Sequence, residues 1–205
     1  MKLTIPQRIF GKLVKNPVVK LHINLKHDQF SVQDALILTG DPRSGTTWMS
    51  EVIAAEKMVT IISEPLSIKE KHVAELGFTW RMFIPPEQKH DEIKAYFDSL
   101  LTGQVINYWD RHRATLADIW KTKQWLIKFV RANRLLPWLV KQYEFTNQPL
   151  HLIRHPCGVI YSQMKHHAFE SDVKVSEFDQ VWINQYRPDL NPLLSRLKSE
   201  AQIRA

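Results

Sequence analysis

Residues 37–53, ILTGDPRSGTTWMSEVI, contain the residue types of a phosphate-binding loop. Gly40 and Gly45 have the Gly-x4-Gly spacing of a nucleotide-binding P-loop, and Thr47 stands where such a loop has its serine or threonine. A loop of this kind, placed between a strand and a helix, turns backbone N–H groups and a helix N-terminus toward an anion. The position of the P-loop lysine, however, holds Thr46. The pattern therefore predicts a phosphate site that is not arranged for the β- and γ-phosphates and Mg²⁺ of a nucleoside triphosphate.

Other polar side chains of the same loop suit an anion. Arg43 supplies a positive charge from a different point than the missing lysine, and Ser44, Thr46 and Thr47 add hydroxyl donors. The alternative is a glycine turn that only happens to precede a helix. The combination of an apolar run, the loop and a helical pattern favours the anion site over that turn.

A second arginine and a second serine occur in residues 151–164, HLIRHPCGVIYSQM. Arg154 ends a predicted strand, and Ser162 lies on the predicted helix that follows. An arginine at a strand tip and a hydroxyl on the adjacent helix can converge on one phosphate. The alternatives are a structural salt bridge for Arg154 and an ordinary helical serine for Ser162.

The fold that positions these residues is indicated by apolar runs that alternate with helical patterns. Strands buried on both faces are predicted at ALILTG (35–40), VTIIS (59–63), WLIKFV (125–130) and LHLIR (150–154). Helices are predicted at 46–57, 87–101, 134–143 and 157–168, and the apolar residues Phe178, Val181, Trp182 and Ile183 allow one more docked helix. The alternation predicts one α/β domain over residues 1–205, a three-layer α/β/α P-loop domain with a central parallel sheet. Ligands of such a domain bind at the carboxyl ends of the strands.

The net charge of +7 comes largely from the beginning of the chain, because residues 1–27 contain six lysines and arginines and no acid. We interpret residues 1–34 as a basic, solvated leader, with contact to a membrane surface or an acidic partner as the alternative. No nucleic-acid partner is expected. One cysteine excludes an intrachain disulfide framework, and the apolar runs are too short for a transmembrane segment. Without a secretory signal, a cytoplasmic location is expected.

The word PRSGTTW, between its strand and helix, resembles the 5′-phosphosulfate loop of sulfotransferases that use 3′-phosphoadenosine 5′-phosphosulfate (PAPS). The resemblance covers roughly residues 35–170. It implies that PAPS is the co-substrate and that the loop holds its 5′-phosphate, with the basic residue bridging to the sulfuryl group and the tryptophan stacking on adenine. The residues so implied are Arg43, Ser44, Gly45, Thr46, Thr47 and Trp48. For Trp48 a core position on the first helix is the alternative.

The same resemblance assigns roles at the ends of the other strands. It implies that Arg154 and Ser162 hold the 3′-phosphate, that Glu64 of the IISEPL sequence is the base, and that Lys128 helps to hold the sulfuryl group. The histidine that cytosolic members carry on the third strand is absent, which favours the Arg-Ser-Gly, Glu-Pro branch of the family. The alternatives are a Glu64 that orients the loop or pairs with Arg43, and a Lys128 that snorkels from its strand end.

The resemblance also implies transfer of a sulfuryl group to an acceptor hydroxyl. Residues 65–124, with Trp80, Trp109 and Trp120, are the expected acceptor-binding insertion, and the acceptor is a small molecule, carbohydrate or lipid. No metal is expected, because His155, His166 and His167 lack cysteine partners and regular ligand spacing. The Gly-rich basic loop that caps the nucleotide in family members is missing after residue 170. A non-catalytic nucleotide-binding remnant, a P-loop kinase and a homo-oligomer therefore stay open.

Overall fold

A computed structural model describes residues 29–55, 58–79, 81–105, 116–165 and 177–192, together with Leu21 and Leu25. The strands are β1 (Leu36–Gly40), β2 (Val59–Ser63), β3 (Gln124–Phe129) and β4 (Leu150–Leu152). The helices are α1 (Thr46–Ala54), α2 (Lys71–Glu75), α3 (Asp91–Leu101), α4 (Leu116–Lys121), α5 (Leu136–Gln142), α6 (Pro156–Met164) and α7 (Glu177–Tyr186). Short 3₁₀ helices cover Val32–Asp34 and Pro188–Leu190.

The strands form one all-parallel sheet with the order β2-β3-β1-β4. Leu38 is in register with Lys128 on one side and with Leu150 on the other. Because every strand runs in the same direction, the residues that follow the strands all lie at one edge of the sheet. The class of the fold is therefore α/β with a four-stranded parallel sheet flanked by helices, as the sequence predicts.

The predicted strands and helices are present in the described residues, with shifts at their ends. The prediction that all four strands are buried on both faces is wrong for β4, because Leu150 and His151 are exposed and Leu152 is only partly buried.

The largest shift is in α3, which begins at Asp91 rather than at 87. The residues before it form a turn and an irregular segment, and two of their carbonyl groups bond to α5: Trp138 Nε1 donates to Gln88 O at 2.8 Å, and Gln142 Nε2 donates to Pro86 O at 3.2 Å. The predicted helix at 157–168 is α6, and positions 166–168 lie outside the described residues.

The core lies between the sheet and the helices of the long segment between β2 and β3. Its buried side chains from that segment include Val73, Phe78, Met82, Ile84, Ile93 and Phe97. They pack with Trp125 of β3 and Trp138 of α5 in the same cluster. The described part of residues 65–124 is thus an integral part of the core. Its role in acceptor binding stays a prediction. Trp80 and Trp109 lie outside the described residues.

The last described helix, α7, packs against Phe83 of the segment between β2 and β3 and against Arg134, which follows β3. Ile183 is buried, Tyr186 meets the Phe83 ring edge-on at 5.5 Å, and Arg134 lies 4.4 Å from the ring centre of Trp182. Among the described residues, no helix has the length and apolar character needed to cross a bilayer.

Candidate functional site

The loop between β1 and α1 is tight, and two glycines allow it. A Cβ on Gly40 would lie 2.7 Å from Thr46 Cγ2 and 2.8 Å from Leu152 O, so a side chain has no room there. Gly45 is the N-cap of α1 with a φ of 100°, a conformation that other residues rarely adopt. The backbone N–H groups of the first turn of α1 lack intrahelical partners and lie at the positive end of the helix dipole. Residues 40–47 therefore have the tight strand–turn–helix form that the sequence predicts, and anion binding by this loop stays a prediction.

The three hydroxyl groups of the loop are not equivalent. Ser44 Oγ donates to Asp41 O at 2.6 Å and is buried, so its proton stabilises the turn. Thr46 is also buried, and its methyl group packs under Gly40. Thr47 is exposed and its Oγ1 accepts from Lys128 Nζ at 3.3 Å, which leaves its own proton for an acceptor. Of the predicted hydroxyl donors, Thr47 is the one that this conformation presents.

Arg43, Arg154 and Ser162 form one cluster at the front of the loop. Arg43 Nε donates to Ser162 Oγ at 3.0 Å, and Arg154 Nη1 donates to the carbonyl oxygen of Arg43 at 3.0 Å. Gly158 on α6 leaves room for the Arg154 guanidinium, because a Cβ there would lie 3.2 Å from Nε. The structure thus brings together the three residues that the sequence placed in two separate segments. Their partners are neutral oxygens, so both guanidinium charges are uncompensated within these contacts.

Lys128 and Glu64 form a second group behind the loop. Lys128 is only 2% exposed, and its Nζ lies 3.3 Å from Glu64 Oε1 and 3.3 Å from Thr47 Oγ1. The alternative that Lys128 snorkels to solvent is wrong, since the lysine is buried and paired with Glu64, and its role in holding a sulfuryl group stays a prediction. Glu64 pairs with this lysine, whereas Arg43 bonds to Ser162, so the alternative of a Glu64–Arg43 pair is not what the structure contains. The Glu64 side chain is 45% exposed and stays accessible to water.

Strand order explains how Glu64 reaches the loop. β3 lies between β1 and β2, so Glu64 follows a strand that is not the neighbour of β1. Its backbone N–H donates to Lys128 O at 2.8 Å, which continues the β2–β3 pairing by one residue. The long Lys128 side chain then bridges from Glu64 to Thr47. Glu64 therefore acts on the loop through the lysine.

Two of the three described non-glycine residues with a positive φ lie at the same edge, and the third, Met58, precedes β2 at the opposite edge. Arg43 has a φ of 73° and Glu64 a φ of 54°, both in the left-handed region that residues with a Cβ seldom occupy. Strained residues of this kind persist where surrounding contacts hold them and cluster at functional sites. Next to Glu64, Arg131 donates to Leu66 O at 3.0 Å. Burial lowers the pKa of Arg131, and the negative charge of Glu64 opposes that shift.

Trp48 lies on the first turn of α1 with 65% of its surface exposed. The alternative of a core position for this tryptophan is therefore wrong. Tryptophan is a large apolar side chain that is usually well buried in a folded domain. Its exposure beside the loop makes it available as a stacking surface, and its contact with a base stays a prediction.

Two contacts at the loop carry no sequence signal. Arg81 Nη2 lies 3.1 Å from Asp41 Oδ1, which ties the segment between β2 and β3 to the loop. Gln163 Nε2 donates to Pro42 O at 3.0 Å and ties α6 to it. Both side chains come from parts of the chain remote in sequence, and neither belongs to a motif. Only the folded arrangement could identify them.

Metal ligation is not supported by any cluster in the described residues, where no group of three or more His, Cys, Asp and Glu side chains has the necessary arrangement. His166 and His167 lie outside those residues. No protein-family model, curated protein or solved structure matches the chain. The functional assignment therefore depends on the loop and its surroundings.

Proposed function

We propose that the chain is a three-layer α/β/α P-loop domain that binds PAPS and transfers its sulfuryl group to an acceptor hydroxyl. The observation that carries the proposal is the convergence of three cationic side chains on one glycine loop. Arg43 and Arg154 lie at its front, and Lys128 lies behind it at Thr47. PAPS carries two phosphates and a sulfate, which require cations at more than one point. A loop without the P-loop lysine suits PAPS better than it suits a nucleoside triphosphate.

The residues at the front of the loop would hold the two phosphates. The loop N–H groups and the Thr47 hydroxyl donate to the 5′-phosphate. Arg154, with Ser162 beside Arg43, would take the 3′-phosphate, because a guanidinium binds phosphate in a bidentate, charge-assisted geometry. These contacts replace the neutral oxygens to which both arginines now donate. Trp48 offers a stacking surface for the adenine, worth roughly 1–3 kcal/mol.

The residues behind the loop would serve the transfer itself. In-line displacement places negative charge on the oxygens of the transferred group, and the buried ammonium of Lys128 stabilises such charge strongly because little water screens it. Glu64 is the carboxylate nearest this ammonium and is open to water, so it is the proposed base for the acceptor proton. The bond from the sulfur to the phosphate oxygen breaks as the bond to the acceptor oxygen forms. The products are the sulfated acceptor and 3′,5′-adenosine bisphosphate.

A second candidate, donor binding without turnover, is favoured by the exposure around Arg154. Arg154, Tyr161 and Met164 are all exposed in the described structure, so the front of the loop is open to solvent. Enzymes commonly close their sites to exclude water before transfer. Binding and turnover therefore need separate measurements.

Donor binding is tested by comparing 3′,5′-adenosine bisphosphate with adenosine monophosphate in thermal unfolding of the full chain. The bisphosphate should stabilise the chain more than the monophosphate does at equal concentration, and at one hundred times its Kd it should add about 2.7 kcal/mol to the free energy of unfolding. Arg154→Ala should make the two ligands equal, while Arg187→Ala, at an exposed pair with Asp189, serves as the matched control. Equal shifts for both ligands in the wild-type protein would refute the 3′-phosphate assignment.

Two further arms separate the rival functions. Binding of the bisphosphate should be unchanged by a chelator, and a strict Mg²⁺ requirement would instead indicate a kinase. Incubation with PAPS and a panel of phenol, sugar and lipid acceptors measures turnover. Binding of PAPS with no transfer to any acceptor would leave the non-catalytic function as the better description.

A further inference from the structure

The turn that follows β2 has a backbone conformation that its own sequence does not favour. Glu64, the first residue after β2, has a φ of 54°. The next residue is Pro65, and a residue before proline is biased toward an extended backbone with φ at about −120°. A positive φ at a residue with a Cβ costs free energy and persists only where surrounding contacts hold it. The contacts that hold Glu64 therefore come from other parts of the fold.

Two side chains from remote elements bind the peptide groups directly after Glu64. Tyr96 of α3 donates its hydroxyl proton to Pro65 O at 2.9 Å. Arg131, which follows β3, donates from Nη1 to Leu66 O at 3.0 Å. These donors lie 31 and 65 positions further along the chain than the carbonyl groups they bind. Two consecutive carbonyl groups of the turn are thus fixed by the tertiary structure.

The surroundings of Tyr96 keep its hydroxyl in one place and protonated. The residue is 8% exposed, and its ring centre lies 5.8 Å from that of Phe78 and 5.9 Å from that of Phe97. Burial raises the pKa of Tyr96, and the negative charge of Glu70 adds to that shift, so the hydroxyl stays a donor. Pro65 is buried too, and a buried carbonyl group needs a donor from the protein.

The turn in turn determines where the Glu64 carboxylate lies. The backbone N–H of Glu64 donates to Lys128 O at 2.8 Å, and its Oε1 lies 3.3 Å from Lys128 Nζ. The same Nζ lies 3.3 Å from Thr47 Oγ1 of the glycine loop. A turn that relaxed to the extended conformation would point the Glu64 side chain in another direction. The distance between this carboxylate and the ammonium therefore depends on the donors that hold the turn.

We propose that Tyr96 and Arg131 are positioning residues that hold Glu64 against Lys128. Both act through Glu64 and not on a substrate. Their effect on sulfuryl transfer rests on the proposed function, whereas their effect on the Glu64–Lys128 pair does not. The proposal also connects α3, in the expected acceptor-binding segment, to the placement of the proposed base.

The test uses Tyr96→Phe in the full chain, which keeps the ring and removes the donor. Tyr143→Phe is the matched control, because Tyr143 is also buried and its hydroxyl donates to Lys94 O at 3.1 Å and to Asp98 Oδ1 at 2.8 Å, not to the turn. Circular dichroism checks that both variants are folded. The comparison removes the part of any effect that comes from a general loss of stability.

Two measurements without any ligand report on the turn and on the pair. Amide hydrogen exchange at Glu64 should become about tenfold faster in Tyr96→Phe than in Tyr143→Phe, which is the factor expected when a buried carbonyl loses its donor. Acetylation of Lys128 by an amine reagent, read by mass spectrometry, should rise in Tyr96→Phe only. Exchange and acetylation that are equal in the two variants would overturn the proposal.

A double variant distinguishes positioning from a general role in the core. Glu64→Gln alone should raise acetylation of Lys128, because the ammonium loses its charged partner. Adding Tyr96→Phe to Glu64→Gln should then change acetylation little, since residues that act through one another are not additive. Additive effects would show that Tyr96 only stabilises the core. If Tyr96→Phe does not fold, Arg131→Met in the same two backgrounds decides.

The last measurement addresses transfer. With PAPS and an acceptor, Tyr96→Phe should lower kcat by roughly tenfold to a hundredfold, the effect of a misplaced catalytic group, while the Kd of 3′,5′-adenosine bisphosphate stays the same. Tyr143→Phe should change neither. A wild-type chain without turnover would refute the proposed function alone, because exchange and acetylation still test the positioning. A normal kcat in Tyr96→Phe, despite faster exchange at Glu64, would overturn the positioning role.

Discussion

Glu64→Gln is expected to destabilise the fold, because it removes the charged partner of a buried ammonium. Lys128 is 2% exposed, and its Nζ lies 3.3 Å from Glu64 Oε1. Breaking a buried ion pair by removing one partner costs about 3–5 kcal/mol, whereas an exposed pair contributes about 0–1 kcal/mol. Glu64 itself is 45% exposed, so water already solvates part of its charge. We therefore expect the free energy of unfolding to fall by about 2 kcal/mol.

Urea unfolding followed by tryptophan fluorescence measures this loss as a lower midpoint at an unchanged slope. For a domain of about 150–250 residues, the same loss corresponds to a Tm lower by ~4–8 °C. Glu75→Gln is the matched control, because Glu75 pairs with Lys71 at 3.5 Å on the surface of α2. That variant should lose less than about 0.5 kcal/mol. Equal unfolding midpoints for Glu64→Gln, Glu75→Gln and the wild type would refute the reasoning.

Lys128→Met separates the stability of the pair from its function. The methionine removes the buried charge and leaves Glu64 partly solvated, so stability should stay within about 1 kcal/mol of the wild type or rise. Sulfuryl transfer should be lost, because the cation behind Thr47 is gone. If instead Glu64→Gln keeps full stability and donor affinity while turnover falls ~10²–10⁴-fold, then Glu64 acts as a base and contributes little to holding Lys128.

Three other changes test separate parts of the structure. Gly40→Ala should lower the free energy of unfolding by about 1–3 kcal/mol and weaken bisphosphate binding, since its Cβ would lie 2.8 Å from the backbone oxygen of Leu152. Chemical denaturation measures the first effect, and calorimetric titration measures the second. Trp48→Ala should change the free energy of unfolding by less than about 0.5 kcal/mol but should weaken binding of the bisphosphate by roughly 1–3 kcal/mol. An unchanged affinity for the bisphosphate would rule out stacking of Trp48 on the adenine. Burial and the bond to Asp98 raise the pKa of Tyr143, so the folded state keeps a proton that the unfolded state releases above about pH 10. Stability should then fall as pH rises from there, more steeply in the wild type than in Tyr143→Phe.

The sequence predicted the parts of the fold that depend on local pattern. The runs at β1 and β2 are near-continuous apolar segments followed by turn residues, so their predicted bounds come within one residue of the structure. The start of α3 was misplaced because polar residues at 87–90 fit a helical pattern, while the carbonyl groups of Pro86 and Gln88 accept hydrogen bonds from side chains of α5. Such bonds join residues about 50 positions apart, and no local pattern encodes them.

The candidate site shows the same division. Residue type and spacing were sufficient to place Arg43, Arg154 and Ser162 together, because loop and helix both follow strands of one sheet. They did not predict that Lys128 is enclosed, since that depends on β3 lying in the interior of the sheet with Glu64, the residue after β2, beside it. Strand order is a property of the whole fold. The direction of the Ser44 hydroxyl, into the turn, depends likewise on the backbone conformation of the loop.

The partners of the three cations suggest how the proposed site divides its work. Arg43 donates to a hydroxyl and Arg154 to a carbonyl. A phosphate that replaces these neutral acceptors forms stronger hydrogen bonds, because charge-assisted bonds are roughly twice as strong as neutral ones. Lys128 already has a carboxylate as its partner, so an anion gains less there in the ground state. The attraction of Lys128 for the transferred group rises only when the acceptor proton moves to Glu64, because Glu64 then no longer carries a negative charge. At that moment the ammonium is left with the oxygens of the transferred group. On the proposed function, the arginines therefore set donor affinity, and the lysine sets the rate of transfer.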